Sequence, residues 1–182
     1  MIALMMLLLV CPGCVSGAEL VDDVGVFYAR GSEQSSREST IRISAYVGDK
    51  RYRGSGFYFL YKGAPVILTA AHVVEGADAV FVTRGKDMVI SKVVYLDSSS
   101  DLAILSVPNL SDWKPSRYAL SDKITKVGEE CYYSGFPNDG TMMTLAGKAA
   151  GYTESGNLIL DSYAWSGASG SAVFNKKGKI IG

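Results

Sequence analysis

Short apolar runs separated by polar and turn-forming residues fill the chain from Thr40 onward. The segment TIRISAYVG (40–48) alternates apolar and polar positions with a period of two, which is the pattern of a half-buried strand. GSGFYFLYKG (54–63) follows a Gly-Asp turn, and APVILTAAHVV (64–74) has the apolar run of a more deeply buried strand. Similar strand-like runs occupy residues 78–84, 88–97, 101–107, 130–136, 141–152, 157–162 and 171–182. Because no long stretch has helical periodicity, the pattern predicts an all-β fold built as a sandwich or as barrels.

The strands fall into two sets, which predicts two barrel-like halves. The segment PNLSDWKPSRYAL (108–120) contains two prolines and separates the sets, so we place barrel one at about 40–110 and barrel two at about 116–182. Together the two halves form one predicted domain, residues 40–182. The preceding residues, 19–39, are assigned as an N-terminal segment or linker, because GSEQSSRES (31–39) is polar and typical of a flexible, exposed loop.

The first 18 residues, MIALMMLLLVCPGCVSGA, predict a cleaved signal peptide. The apolar run at 2–10 is too short for a membrane span, which needs about 20 residues, and small residues follow it. We expect cleavage after Ala18 and an exported protein, periplasmic or secreted, although this segment has no Lys or Arg before its apolar run. A second interpretation is a lipoprotein site at Gly13-Cys14, in which a lipid on Cys14 would attach the protein to a membrane.

The composition of the chain argues against nucleic-acid binding and against a metal site. Of 182 residues, 18 are Lys or Arg and 18 are Asp or Glu, and no segment concentrates positive charge, so we expect no nucleic-acid partner. The chain has one histidine and three cysteines, of which Cys131 would be alone after signal cleavage. This predicts no metal site, since zinc takes three or four ligands of these kinds, and no cofactor. Cys131 is predicted to be a small buried apolar residue.

His72, in LTAAHVVEG, is the single candidate for a histidine general base. Such a base needs a carboxylate that fixes its tautomer and stabilises the imidazolium. Asp101 fits this role best, because it closes DSSSD and directly precedes the apolar strand LAILSV. Asp97, at the other end of the same turn, is the second choice. Taken separately, a lone histidine and an Asp before a strand are each commonly structural.

The segment YAWSGASGSAVFN (163–175) offers the candidate nucleophile. Glycines on both sides of a serine let the backbone turn tightly and aim N–H groups at a developing oxyanion. Only Ser169 has this frame, with Gly167 two residues before it and Gly170 directly after it, whereas Ser166 and Ser171 lack it. The alternative is a plain Gly/Ser hairpin turn. The order His, Asp, Ser and the lack of helices argue against an α/β-hydrolase.

With these motifs in this order, the chain resembles the trypsin-like (chymotrypsin-fold) serine peptidases, of the bacterial HtrA-like and glutamyl-endopeptidase-like kind. The matching segments are GSGFYF, VILTAAHVV, DLAILSV, VGEECYYSGFP and GASGSAVFNKKGKIIG, over about 40–182. The resemblance implies two antiparallel six-stranded β-barrels with the site in the cleft between them. It also implies a catalytic triad of His72, Asp101 and Ser169, with an oxyanion hole formed by the N–H groups of Gly167 and Ser169.

Two departures from the family's pattern concern the substrate specificity and the completeness of barrel two. Tyr163 occupies the pocket position that is Asp in trypsin-type enzymes, so a preference for Lys or Arg is disfavoured, and Tyr163 is assigned tentatively to the specificity pocket. The chain ends on the strand after the nucleophile, so barrel two is expected to be incomplete, and we expect a fragment of a longer protein.

Together, the signal segment, the motifs and the resemblance predict an exported serine endopeptidase that acts on proteins or peptides through an acyl-enzyme. The alternative is an inactive pseudo-peptidase or protein-binding module on the same fold.

Overall fold

The computed structural model of the chain describes residues 31–107 and 120–182. The predicted signal peptide with Cys14, residues 19–30 of the predicted N-terminal segment, and residues 108–119 between the two strand sets lie outside the described residues. Within these two ranges, no helix has the length and apolar character needed to cross a membrane.

Over the described residues the fold is all-β, as predicted. Within these ranges ten strands follow one another as β1 Thr40–Val47, β2 Lys50–Tyr61, β3 Ala64–Thr69, β4 Ala79–Arg84, β5 Asp87–Asp97, β6 Leu102–Ser106, β7 Glu130–Gly135, β8 Met143–Tyr152, β9 Leu158–Asp161 and β10 Val173–Asn175. A 3-10 turn, Pro137–Asp139, follows β7.

The first six strands form a closed antiparallel barrel in the order β1-β2-β3-β6-β5-β4. Closure results from β1, which pairs with β2 on one side and with β4 on the other. The remaining strands of the described chain form an open four-stranded sheet in the order β10-β7-β8-β9. This arrangement confirms a six-stranded first barrel followed by an incomplete second one.

Alternating side chains of the barrel strands point inward and form the main core. Its members are fully or almost fully buried and include Ile41, Ile43, Ile67, Val82 and Leu105. Burying each such side chain contributes about 1.5–3 kcal/mol. A smaller cluster joins the two halves, because Phe57 of β2 packs edge-on against Phe174 of β10 with ring centroids 6.0 Å apart.

The prediction of an exposed loop at 31–39 is wrong, because these residues form a helix, α1. Ser32, Ser36 and Ser39 recur at helical spacing and are at most 1% exposed. Their hydroxyls replace an apolar face: Ser32 Oγ donates to the Asn175 carbonyl (2.9 Å) and Ser36 Oγ to Ser134 Oγ (2.8 Å). Thus α1 packs against the second sheet through hydrogen bonds, which an apolar periodicity cannot reveal.

The segment APVILTAAHVV is only partly a strand. Strand β3 ends at Thr69, and Ala71–Val74 form one helical turn, α2, that carries His72.

The prediction of a buried Cys131 is confirmed, since the residue is 1% exposed. Its thiol is free, and burial raises the pKa of the thiol.

Candidate active site

His72 and Asp101 are joined by two hydrogen bonds. The imidazole Nδ1 lies 2.8 Å from Asp101 Oδ2, and the backbone N–H of His72 donates to Oδ1 at 2.9 Å. In addition, the N–H of Ala71 donates to the Asp101 carbonyl oxygen at 3.1 Å. Asp101 therefore accepts from the first N–H groups of α2, which have no partners within so short a helix, and holds the imidazole at the same time.

This contact defines the tautomer of His72. An ionised carboxylate can only accept hydrogen bonds, so Nδ1 carries the proton and Nε2 of the neutral ring is left as a proton acceptor. The side chains of His72 and Asp101 are 57% and 51% exposed. The ring is therefore open to a substrate from the solvent side.

Asp101 is held in its ionised form. Burial opposes ionisation, but the hydrogen bonds from the backbone and ring of His72 outweigh it, and the pKa of Asp101 lies below its ordinary value. Asp97, the second choice for this role, instead accepts hydrogen bonds from Ser99 and Ser100 in its own turn, which lower its pKa to about 2. The structure thus pairs His72 with Asp101 and not with Asp97.

The segment around Ser169 forms a tight loop that depends on two glycines. Gly167 has φ 97° and Gly170 has φ 85°, a backbone region that favours glycine. The N–H of Ala168 donates to the Trp165 carbonyl, and the N–H of Ser171 to the Ala168 carbonyl, both at 3.0 Å.

The N–H groups assigned to the oxyanion hole find no acceptor in the described part of the chain. Within residues 31–107 and 120–182, no hydrogen bond is donated by the backbone N–H of Gly167 or Ser169. The Ser166 carbonyl, which shares its peptide plane with the N–H of Gly167, accepts a hydrogen bond from the N–H of Asn138 at 2.8 Å. This bond orients the Gly167 N–H away from the Asn138 turn and leaves it free for a ligand.

The loop lies directly against the segment that carries His72. A Cβ atom on Gly170 would be 3.0 Å from the Ala70 nitrogen, and one on Gly54 would be 2.6 Å from Val73 and 3.1 Å from the Ser169 carbonyl oxygen. No hydrogen bond joins the Ser169 hydroxyl to His72 among the described residues. Such bonds are often long in ligand-free sites and tighten when substrate binds.

The other two serines of this segment are less suited to act as nucleophiles. The hydroxyl of Ser171 is buried and has no hydrogen-bond partner in the described structure. The Ser166 residue is exposed but lacks the glycine frame, and its carbonyl faces the Asn138 turn.

A cavity of about 290 Å³ opens beside Ser169 and includes Tyr163. Its walls are formed by uncharged side chains, among them Leu160, Trp165 and Val173. The rings of Tyr163 and Trp165 lie 5.9 Å apart, and the Tyr133 hydroxyl donates to the Tyr163 carbonyl. The position of Tyr163 fits a pocket-wall residue.

No group of three or more His, Cys, Asp or Glu side chains suited to a metal ion occurs in the described part of the chain.

Two residues that contact the loop of Ser169, Ser55 and Asn138, were not predicted from the sequence. Both contact the loop of Ser169 from other segments of the chain. Ser55 lies within the motif GSGFYF, and Asn138 directly follows the motif VGEECYYSGFP.

Comparison with known proteins adds an independent line of information. A family model described as trypsin-like peptidase domain matches residues 54–182. The chain is 28% identical over 179 residues to a probable periplasmic serine endoprotease DegP-like of Hahella chejuensis, covering 88% of this chain and 37% of that protein. It is 28% identical over 147 residues to a putative serine protease HhoB of Synechocystis sp., covering 74% and 35%. The chain therefore spans little more than a third of these curated relatives.

Solved structures share the fold. A serine endoprotease from Yersinia pestis superposes with a TM-score of 0.74 at 20% identity, over 85% of this chain and 56% of that one. The active form of the Rv3671c protease from M. tuberculosis gives 0.69 at 22% identity, over 99% and 82%. At these identities the likeness concerns the fold alone.

Proposed function

The chain belongs to the trypsin-like peptidase family, and from this premise we propose that it is an exported serine endopeptidase that uses Ser169, His72 and Asp101. One observation carries the proposal: Asp101 holds both the backbone and the ring of His72, directly beside the glycine-framed loop of Ser169. Proteins or peptides are its proposed substrates.

In the first half-reaction, the Ser169 oxygen attacks the scissile carbonyl carbon while its proton passes to His72 Nε2. The carbonyl π electrons move onto the oxygen, which then accepts hydrogen bonds from the N–H groups of Gly167 and Ser169. Collapse of this intermediate breaks the C–N bond, and the leaving amine takes the proton from His72. Asp101 stabilises the imidazolium throughout.

In the second half-reaction, water attacks the acyl-enzyme. His72 accepts a proton from the water, the same N–H groups bind the oxyanion, and His72 returns the proton to the Ser169 oxygen as the acid product leaves. We assign the cavity containing Tyr163 and Trp165 to the side chain before the scissile bond, because this cavity opens beside Ser169. Its uncharged walls favour an apolar side chain, because burying an unpaired charge is costly.

A fluorophosphonate probe tests the nucleophile. We expect the whole protein to be labelled once, at Ser169, and Ser169→Ala to remain unlabelled. Ser166→Ala is the matched control and should be labelled at the wild-type level. Failure of the wild type to label and to hydrolyse peptides would favour the alternative, an inactive protein-binding module on the same fold.

Export is part of the proposal, supported by the apolar segment at 2–10 and by the curated relative named as periplasmic. Mass spectrometry of the mature N-terminus tests it. A chain that begins at Glu19 agrees with signal cleavage, whereas a lipid-modified Cys14 would indicate a membrane-attached lipoprotein. An N-terminus at Met1 would contradict both.

A further inference from the structure

Ser55 on β2 lies at the junction of the two halves of the molecule and is fully buried. Its backbone N–H donates to the Ser169 carbonyl at 2.8 Å, and its hydroxyl donates to the Gly167 carbonyl at 2.8 Å. One residue of barrel one therefore holds two carbonyl groups of the nucleophile loop.

The hydroxyl of Ser55 has no freedom to turn away. It accepts a hydrogen bond from the Phe136 N–H at 3.0 Å, so the hydroxyl proton must point elsewhere, and the Gly167 carbonyl is its acceptor. Its own carbonyl accepts from Thr69 Oγ1 at 2.8 Å. Because Thr69 is the last residue of β3, Ser55 also connects the loop to the segment that leads into His72.

The two carbonyls flank the N–H groups that would bind the oxyanion. The Gly167 carbonyl belongs to the peptide that follows the Gly167 N–H, and the Ser169 carbonyl belongs to the peptide that follows the Ser169 N–H. Gly167, at φ 97°, has little intrinsic preference for this conformation. The hydrogen bonds from Ser55 therefore add to the two bonds within the loop that hold this conformation.

Close packing limits the space around this contact. A Cβ atom on Gly135 would lie 3.1 Å from the Ser55 hydroxyl oxygen, and one on Gly170 would collide with the Ser55 carbonyl oxygen. The hydroxyl therefore lies in a closely packed space between the end of β7 and the loop of Ser169.

We propose that Ser55 is a positioning residue: by holding the peptides that follow Gly167 and Ser169, it keeps the adjoining N–H groups of these two residues in the orientation needed to bind the oxyanion. This inference rests on the proposed peptidase function. Removal of the hydroxyl would leave the backbone contact to Ser169 intact but release the Gly167 carbonyl. The loss would be felt in the transition state, when negative charge forms on the substrate oxygen, and little in the binding of the substrate.

The test compares Ser55→Ala with Ser134→Ala in the whole protein. Ser134 is an equally buried serine whose hydroxyl bonds Ser36 and Thr144 away from the loop. Loss of a direct oxyanion donor lowers kcat about 100- to 1000-fold. Because Ser55 acts through the peptides, we expect kcat for a peptide amide to fall about 10- to 100-fold with KM changed less than about threefold.

A peptide aldehyde provides the readout that a merely structural role would not move. Ser169 Oγ adds to the aldehyde carbon, its proton passes to His72 Nε2, and the aldehyde oxygen becomes an oxyanion. The inhibition constant of the aldehyde should therefore rise in Ser55→Ala by the same factor as kcat/KM falls. The inhibition constant of Ser55→Cys, whose thiol is a weak donor, should lie between those of the wild type and Ser55→Ala. Ser134→Ala should keep the wild-type inhibition constant.

The outcomes separate the two claims. If the wild type hydrolyses peptides but Ser55→Ala keeps its kcat and aldehyde affinity within about twofold, the positioning role is overturned and the peptidase function stands. An equal loss in Ser134→Ala would also overturn it, since both effects would then reflect stability. A wild type that neither hydrolyses nor labels overturns the proposed function itself.

Discussion

Replacing Asp101 with Asn tests the geometry of the His72 contact most directly. The carboxylate uses both oxygens, Oδ1 for the His72 backbone N–H and Oδ2 for the ring Nδ1. An amide has one oxygen only. The backbone N–H is an obligatory donor, so the amide oxygen must remain with it, and the amide NH₂ then faces Nδ1. His72 would respond by moving its proton to Nε2, where it can no longer accept the proton of Ser169.

The size of the effect follows from the bonds that are lost. To act as a base, the variant would have to return the proton to Nδ1 against the amide NH₂. This gives up a hydrogen bond to a charged group, about 1.5–3 kcal/mol, and leaves a donor unpaired, about 1–3 kcal/mol. The sum of about 2.5–6 kcal/mol corresponds to a fall in kcat of about 10²- to 10⁴-fold. Since both side chains are about half exposed to solvent, we expect the lower part of this range.

The assay is the hydrolysis rate of a peptide amide near neutral pH, with Ser169→Ala as the baseline. Asp97→Asn is the matched control, since it removes a carboxylate four residues away that does not contact His72, and it should retain kcat within about twofold. A circular dichroism spectrum like that of the wild type would confirm that the variant folds. If Asp101→Asn kept more than a tenth of the wild-type kcat, the assignment of Asp101 would be refuted.

Three further predictions concern stability and specificity. Gly170→Ala should lower the free energy of unfolding by about 2–5 kcal/mol in urea titrations, because the new Cβ collides with Ser55 and φ is positive. Gly178→Ala is the control, since Gly178 also has a positive φ but open space around it, and its free energy of unfolding should fall by only about 1–2 kcal/mol. Equal losses in the two variants would contradict the packing argument. The pKa of Asp97 is lowered to about 2, so its contribution to stability is present above about pH 4 and is lost as pH falls towards 2; the difference in stability between the wild type and Asp97→Asn should shrink between pH 6 and pH 2, and a constant difference would contradict it. In a peptide series, kcat/KM should be at least about tenfold higher for an apolar residue before the scissile bond than for Lys, Arg or Glu, because the cavity beside Tyr163 is uncharged; a preference for a charged residue would rule out this cavity.

Much of barrel one could be predicted from sequence, because its strands have one face in the core and one towards solvent. Strand β1 alternates as TIRISAYV, and its inward residues Ile41, Ile43 and Ala45 are fully buried. Helix α1 could not be predicted in this way. Its buried face consists of serines. The hydroxyls of Ser32 and Ser36 bond the second sheet and that of Ser39 bonds carbonyls of its own helix, and such residues resemble a polar loop in any hydrophobicity pattern.

The residue types of the candidate site could be predicted from the sequence, but the aspartate that pairs with His72 was harder to predict. Asp97 and Asp101 close the same turn, and the sequence favoured Asp101 only because it precedes a strand. The structure gives the reason: β6 pairs with β3 so that Thr69 faces Ala103, which brings Asp101 across from the start of α2. This register is a tertiary feature and leaves no local signal.

Alignment of the two parts of the site is determined at the junction between the halves. His72 and Asp101 both belong to barrel one and hold each other within 29 residues of sequence, whereas Ser169 belongs to the second half. The loop of Ser169 meets barrel one through Ser55, whose acceptor at Gly167 is 112 residues away, while Phe57 and Phe174 supply the apolar contact nearby. A change at this junction can therefore displace Ser169, the proposed nucleophile, while the His72–Asp101 pair stays intact, which is why the Ser55 and Asp101 variants report on separable parts of the proposed mechanism.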